Sequence, residues 1–133
     1  MAVLNTSQAN CTVQVTVPVI PGTANGTAMY FRYQDSANNW MLNINGNAQY
    51  VIEKTLAGAT NISNNSAVNI AQAGDVLSVT YDGSSIIATI THPDQSKTIL
   101  PVNDTALQSA TLVGLSLADN TARFSNFIVS SCH

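Results

Sequence analysis

The sequence predicts an all-β fold: a two-sheet antiparallel β-sandwich of about ten strands with no long helix. Three observations predict it. Most apolar residues alternate with period two, as in half-buried strands, and helical periodicity is scarce. Gly, Asn, Asp, Ser or Pro bounds each alternating run, giving short strands with turns between them. No linker or internal repeat divides the 133 residues, so residues 1–133 read as one domain around one core.

The elements follow in order. Cys11–Ile20 (CTVQVTVPVI) places Cys11, Val13, Val15 and Val17 on one face and Thr12, Gln14 and Thr16 on the other. Pro18 cannot donate to a ladder, so the strand ends there or lies at an edge. Residues 21–27 read as loop. Thr27–Gln34 is the next strand, closed by a turn over Asp35–Asn39. Asn39–Ile44 and Ala48–Lys54 form a hairpin around Asn45-Gly46. A three-residue loop pairs Ile44 with Ala48, Leu42 with Tyr50 and Trp40 with Ile52, keeping the apolar residues on one face. Asn47 is then expected near the left-handed region.

Leu56–Gly74 is polar and Asn-rich, with apolar touches at Ile62, Val68 and Ile70 that suggest one or two short strands. Asp75–His92 is the clearest hairpin: a turn at Asp82-Gly83 sets Leu77, Val79 and Tyr81 against Ala88, Ile86 and Ser84. His92-Pro93-Asp94 opens a turn before a strand over Lys97–Val102. Asn103–Ser109 reads as a loop with room for one helical turn capped by Asn103 or Asp104. Thr111–Ala118 and Ala122–Ser131 close the chain. If the last strand runs antiparallel beside the first, Cys132 comes opposite Cys11, Ser130 opposite Val13 and Ile128 opposite Val15. A disulfide there is expected ahead of two separate thiols, because an outside protein favours it.

Composition excludes several functions. Only 8% of residues are charged, against about a quarter in a typical soluble domain, and Asn, Ser, Thr, Ala and Gln take over the surface. That surface is common among secreted, cell-surface and virion proteins. The cations are Arg32, Lys54, Lys97 and Arg123, and the net charge is −3, so no basic stripe for nucleic acid can form. No apolar run approaches the roughly 20 residues that span a bilayer, so membrane insertion is not expected. The start, MAVLNTSQANC, lacks the regions of a signal peptide. A mature fragment, or a virion protein released by lysis, is expected from that.

Four stretches carry a family resemblance. FRYQDSANNWMLNI (Phe31–Ile44) resembles the FRYxDxxNxW/YxLxI core of concanavalin A-like lectin/glucanase jelly rolls, LamG-like modules in particular. GDVLSVTYDGSSIIATI (Gly74–Ile90) is similar to their central hairpin. TALQSATLVGLSL (Thr105–Leu117) is similar to the loop leading into their VGL strand, and ARFSNFIV (Ala122–Val129) to their closing strand. The resemblance covers most of the chain in the right order and implies the sandwich fold. Family members include enzymes, glycan binders and structural modules. Ser125 stands where the closing strand usually has Asp, and the N-terminal strand that often precedes this core looks short or missing; both weigh against a family-type metal site.

Chemistry narrows the choice. Glycoside hydrolysis needs two carboxyl groups about the scissile bond, but Glu53 is the chain's one Glu and the paired acidic strand of the family's glucanases is absent. Asp35, Asp75, Asp82, Asp94, Asp104 and Asp119 read as turn or strand-end residues. No GxSxG elbow occurs, His92 precedes a proline in a turn and His133 is terminal, so no enzyme is expected. Calcium stays open and unassigned, with Asp35, Asn38, Asp82 and Asp119 able to contribute; no other cofactor is implied. Sugar binding wants an aromatic face with amides and carboxylates around it. Tyr30, Tyr33, Trp40 and Tyr50 with Asn38, Asn39 and Asn43 would suit. The hairpin register assigns Trp40 and Tyr50 to the core, and Arg32 reads as an ion-pair partner of Asp35. Tyr33, Asp35, Asn38 and Asn39 remain as the candidate ligand-binding residues. The expected function is a non-catalytic extracellular or virion-surface module that binds glycan or another surface component. The alternative is a virion structural protein (capsid decoration, tail or other assembly subunit) that works through homo-oligomer or virion partners.

Overall fold

The structure is a computed structural model that describes residues 2–18, 27–67, 70–116 and 124–133. Val68, the 21–26 loop, Asp119 and Arg123 lie outside the described residues. Eleven strands are described: β1 (Ala2–Asn5), β2 (Cys11–Val17), β3 (Thr27–Asp35), β4 (Asn38–Ile44), β5 (Tyr50–Leu56), β6 (Ala59–Asn65), β7 (Asp75–Asp82), β8 (Ser85–Thr91), β9 (Lys97–Asn103), β10 (Leu112–Ser116) and β11 (Ser125–Ser130). They form two sheets whose strand pairs are all antiparallel, in the orders β1-β10-β3-β4-β5-β6 and β11-β2-β7-β8-β9. The expected sandwich is what forms, and the N-terminal strand that looked short or missing is β1.

Alternation decides which side chains enter. Val13, Val15 and Val17 of β2 and Leu77, Val79 and Tyr81 of β7 are buried, as are Trp40, Leu42 and Ile44 of β4 and Tyr50 and Ile52 of β5. The two layers meet in a ring stack: Phe31 lies 6.0 Å from Trp40 and 5.4 Å from Tyr81, with interplanar angles of 22° and 28°. The Trp40 indole also donates from Nε1 to the Ala106 carbonyl at 3.0 Å, so its one polar atom is satisfied inside the core.

The registers correct the sequence reading in a regular way. In β4–β5 the pairs are Ile44 with Tyr50, Leu42 with Ile52 and Trp40 with Lys54, two residues beyond those expected. The loop therefore runs over residues 45–49. Asn45 builds it: its Oδ1 accepts the Asn47 and Gln49 amides, and its Nδ2 donates to Gln49 Oε1. The left-handed residue is Ala48, φ 53°, and not Asn47. The β7–β8 hairpin shifts likewise: Tyr81 pairs with Ile86, Val79 with Ala88 and Leu77 with Ile90, around a Gly83-Ser84 turn. Gly83 takes φ 57°, which an L side chain would resist. The β3–β4 turn is tighter than expected, with Ser36-Ala37 between paired Asp35 and Asn38. In place of a capped helical turn, residues 106–109 form a turn, and Asp104 Oδ1 accepts the Ala106 amide at 2.8 Å.

The chain ends behave differently. β11 pairs Val129 with Val13 and Ile128 with Gln14, one residue away from the expected ladder. That slip turns Ile128 outward, where it is half exposed, and brings Phe127 and Val129 toward the core. A bulge at Ser131, φ 52°, restores the phase, and Asn10 and His133 exchange both backbone bonds (3.2 and 2.8 Å). Cys11 and Cys132 are then neighbours across a non-hydrogen-bonded position, with Cα atoms 4.1 Å apart, and they form the disulfide.

Candidate functional site

A bulge in β3 creates the site. Tyr30 pairs with Gly114 and Tyr33 with Leu112, so three steps of β3 face two of β10. The extra residue is Arg32, held at φ 45°. Phe31 and Arg32 both turn inward, and Tyr30 and Tyr33 both reach the outer face of the six-stranded sheet. Their rings meet edge to face with centroids 5.6 Å apart.

Arg32 does not pair with Asp35 as expected. Its guanidinium is buried, donates to the carbonyls of Gly83 and Asp104, and lies 5.6 Å from the centre of the Tyr81 ring. These contacts offset the cost of its backbone, roughly 1–2 kcal/mol for a non-glycine residue in the left-handed region.

From Tyr30 a row of paired residues crosses the outer face: Gly114, Tyr30, Met41, Glu53 and Ile62, one each from β10, β3, β4, β5 and β6. Beside it runs the row Ser116, Ala28, Asn43, Val51 and Asn65. Tyr30 and Glu53 thus stand two strand spacings apart, about 9–10 Å, with Met41 between them. Asn43 Nδ2 donates to Glu53 Oε1 at 3.1 Å. A carboxylate only accepts, so this bond fixes which way the amide points. Its carbonyl Oδ1 is left buried without a partner on a residue 5% exposed. Burial first, then the nearby Tyr33 and Glu53, pushes the Tyr30 phenol above its usual range, so it stays a neutral hydroxyl donor.

Tyr33 also lines a cleft of about 380 Å³ at one end of this face, with Gln34, Ser109, Ala110, Thr111 and Leu112. The other sequence candidates serve the β3–β4 turn. Asp35 Oδ1 accepts from the Ala37 amide at 2.8 Å and from Asn38 Nδ2 at 3.0 Å; those bonds, the Asn38 one first, hold its carboxyl below the usual range. Asn38 Oδ1 accepts the Ala57 amide at 3.1 Å, docking the turn on the β5–β6 connection. Asn39 is 3% exposed and donates to the Asp35 and Ser36 carbonyls, so it is not the surface residue expected of it. Among the calcium candidates, Asp82 faces His133 at 3.2 Å on another part of the molecule. Among the described residues no three metal-ligating side chains converge.

Sequence reading underrated Glu53 and Asn43. Glu53 was weighed as a hydrolytic carboxylate and Asn43 as one amide among many; their alternation with core residues Ile52 and Leu42 placed them outward, but only the register joins them to Tyr30. Asp75, read as a turn or strand-end residue, does open β7, but its role is larger than that position suggests. It is fully buried and accepts from Tyr50 Oη at 2.6 Å and the Gln72 amide at 2.8 Å, with His92 Nδ1 at 2.8 Å.

Solved structures share this architecture. The carbohydrate-binding module CBM66 from Bacillus subtilis superposes with a TM-score of 0.70 at 18% identity, over 98% of this chain and 78% of that one. What they share with this chain is the fold, a two-sheet jelly-roll β-sandwich. A toad ovary galectin, solved in complex with thio-digalactose, matches this jelly roll at TM-score 0.62 and 17% identity, over 97% of both chains. The GH43 protein BlXynB from Bacillus licheniformis matches at TM-score 0.66 and 10% identity; the jelly roll covers 94% of its own length and 27% of that protein. No protein-family model and no curated protein sequence matches the chain.

Proposed function

We propose that this module binds glycan, without catalysis, on the outer face of its six-stranded sheet, and that it works outside the cell. The observation that carries the reading is the Tyr30–Tyr33 pair and the Asn43–Glu53 pair held on one sheet face by a continuous register. Aromatic rings cover the apolar faces of a sugar while amides and carboxylates take its hydroxyls. The sequence-expected contact Tyr33 belongs to this site; Asp35 and Asn38 border it as the turn that braces β3 and β4. The carbohydrate-binding module CBM66 and the galectin solved with thio-digalactose support the same class of ligand. The Cys11–Cys132 disulfide supports an oxidising, extracellular setting.

The non-catalytic part rests on how the carboxylates are used. Asp104 is bonded to Lys54 at 2.5 Å, Asp94 to Ser96 and Asp35 within its turn. The Asp75–His92–Thr98 chain has the partners of a proton relay, with His92 Nε2 at 3.1 Å from Thr98 Oγ1. Its carboxylate is, however, spent on Tyr50 and Gln72 inside the sandwich, which makes it a structural tie.

A glycan array followed by titration calorimetry tests the reading. Tyr30→Ala and Tyr33→Ala are each expected to weaken binding by roughly tenfold, the worth of one well-placed ring. Unchanged affinity in both, with melting curves like the wild type, would move the site elsewhere. A second reading, assembly as a virion or filament subunit, has one observation in its favour: β1 is an edge strand whose Val3 and Leu4 are 47% and 51% exposed. Stable oligomers that dissociate on Val3→Lys, in a protein that binds no glycan, would favour it.

A further inference from the structure

The proposed site carries a carboxylate and, among the described residues, no cation, and that restricts what can fill it. Glu53 forms no ion pair among the described residues; its recorded hydrogen bond comes from the Asn43 amide. That bond turns the Asn43 carbonyl into a second acceptor, buried and without a partner. Beside them stand the Tyr30 and Tyr33 rings, whose π faces attract cations and repel anions.

The cations among the described residues are directed elsewhere. Arg32 is sealed in the sandwich by the β3 bulge. Lys54 neighbours Glu53 in sequence but lies on the opposite face, 5.5 Å from the Trp40 ring centre and bonded to Asp104. Lys97 belongs to β9 of the other sheet, and Arg123 lies outside the described residues. Toward the site, β10 and β3 present Gly114 and Tyr30, β4 presents Met41 and Asn43, and β6 presents Ile62, none of them charged; β5 contributes the Glu53 carboxylate.

We propose that the site selects a saccharide unit carrying a free ammonium, an amino sugar, over its N-acylated form and over acidic sugars. The ammonium donates to Glu53 while the sugar ring packs on Tyr30. An acidic sugar brings a charge that both the carboxylate and the ring faces repel, with no cation among the described residues placed to receive it. This rests on the glycan-binding reading above and names the ligand class for that same site.

The test uses three soluble oligosaccharides of equal length: glucosamine, N-acetylglucosamine and galacturonic acid. Each is titrated calorimetrically at mildly acidic pH, where the glucosamine amine is charged and the galacturonic acid ionised. The glucosamine form is expected to bind about five- to tenfold tighter than the N-acetylated form, as for a partly exposed charge-assisted hydrogen bond. Added salt should shrink that preference, a readout that needs no variant. Glu53→Gln, checked for an unchanged melting curve, should abolish the preference, so that the charged and N-acetylated forms bind equally. Equal or tighter binding of the N-acetylated or acidic form by the wild type would overturn the proposal and leave glycan binding standing. So would a preference that survives Glu53→Gln. Binding of none of the three, and of nothing on the array, would sink the proposal together with the reading beneath it.

Discussion

Reducing the Cys11–Cys132 disulfide is expected to lower the melting temperature by roughly 15–20 °C. The bridge closes a loop with a sequence separation of 121, and the chain-entropy relation gives about 5 kcal/mol for a loop of that size. Spread over the unfolding entropy of a domain this long, that becomes the stated shift. The local structure argues that the loss is fully felt. The bridge sits where β11, an edge strand, ends beside β2, and the bulge at Ser131 brings Cys132 opposite Cys11. Without it, Phe127 and Val129 can peel from the core against which they pack. Thermal melts with and without reductant, or of a Cys11→Ala/Cys132→Ala double variant, measure the effect. An unchanged melting temperature, with two free thiols confirmed by titration, would contradict it.

Asp75→Ala is expected to cost about 3–5 kcal/mol, as for other buried charges stripped of a partner or partners stripped of a charge. Asp75 is fully buried and joins the layers: Tyr50 belongs to the six-stranded sheet, and β7 and the β8–β9 turn to the other. Its removal leaves the Tyr50 hydroxyl, the Gln72 amide and the His92 ring nitrogen without their acceptor. Burial, then Asp75, pushes the Tyr50 phenol well above its usual range, so it stays a proton donor across the working pH. Because the groups act as one network, Tyr50→Phe and Asp75→Ala should not add. Denaturant unfolding of both single variants and the double variant closes the cycle. Additivity within a few tenths of a kcal/mol would mean that the two groups are independent.

How much was legible in the sequence follows from the physics of alternation. Period two states which residues share a face, and every face assigned that way in β4, β5, β7 and β8 is the observed one. It does not state the register, because a shift of two residues keeps each face intact. Both hairpins were off by that amount. What decides between registers is loop chemistry, such as the Asn45 side chain bonding to Asn47 and Gln49. Bulges break the period itself: Ser131 returns the cysteines to phase, and Arg32 sends two tyrosines outward three residues apart. The candidate site was legible to the same degree. Tyr33 could be named from composition and position. The Tyr30–Met41–Glu53 row could not, because it depends on the register and on the bulge together. Asn39 illustrates the converse error: a polar residue in a turn-like string is read as exposed, yet its amide closes the turn from inside.

The central claim is that ligand meets the outer face of the six-stranded sheet at Tyr30, Met41, Asn43 and Glu53. The most direct measurement is a two-dimensional amide NMR titration with an oligosaccharide that the array identifies. Perturbed resonances are predicted to cluster on β3, β4 and β5, with the side-chain amide of Asn43 among the largest changes. Perturbations confined to the outer face of the β11-β2-β7-β8-β9 sheet would contradict the account.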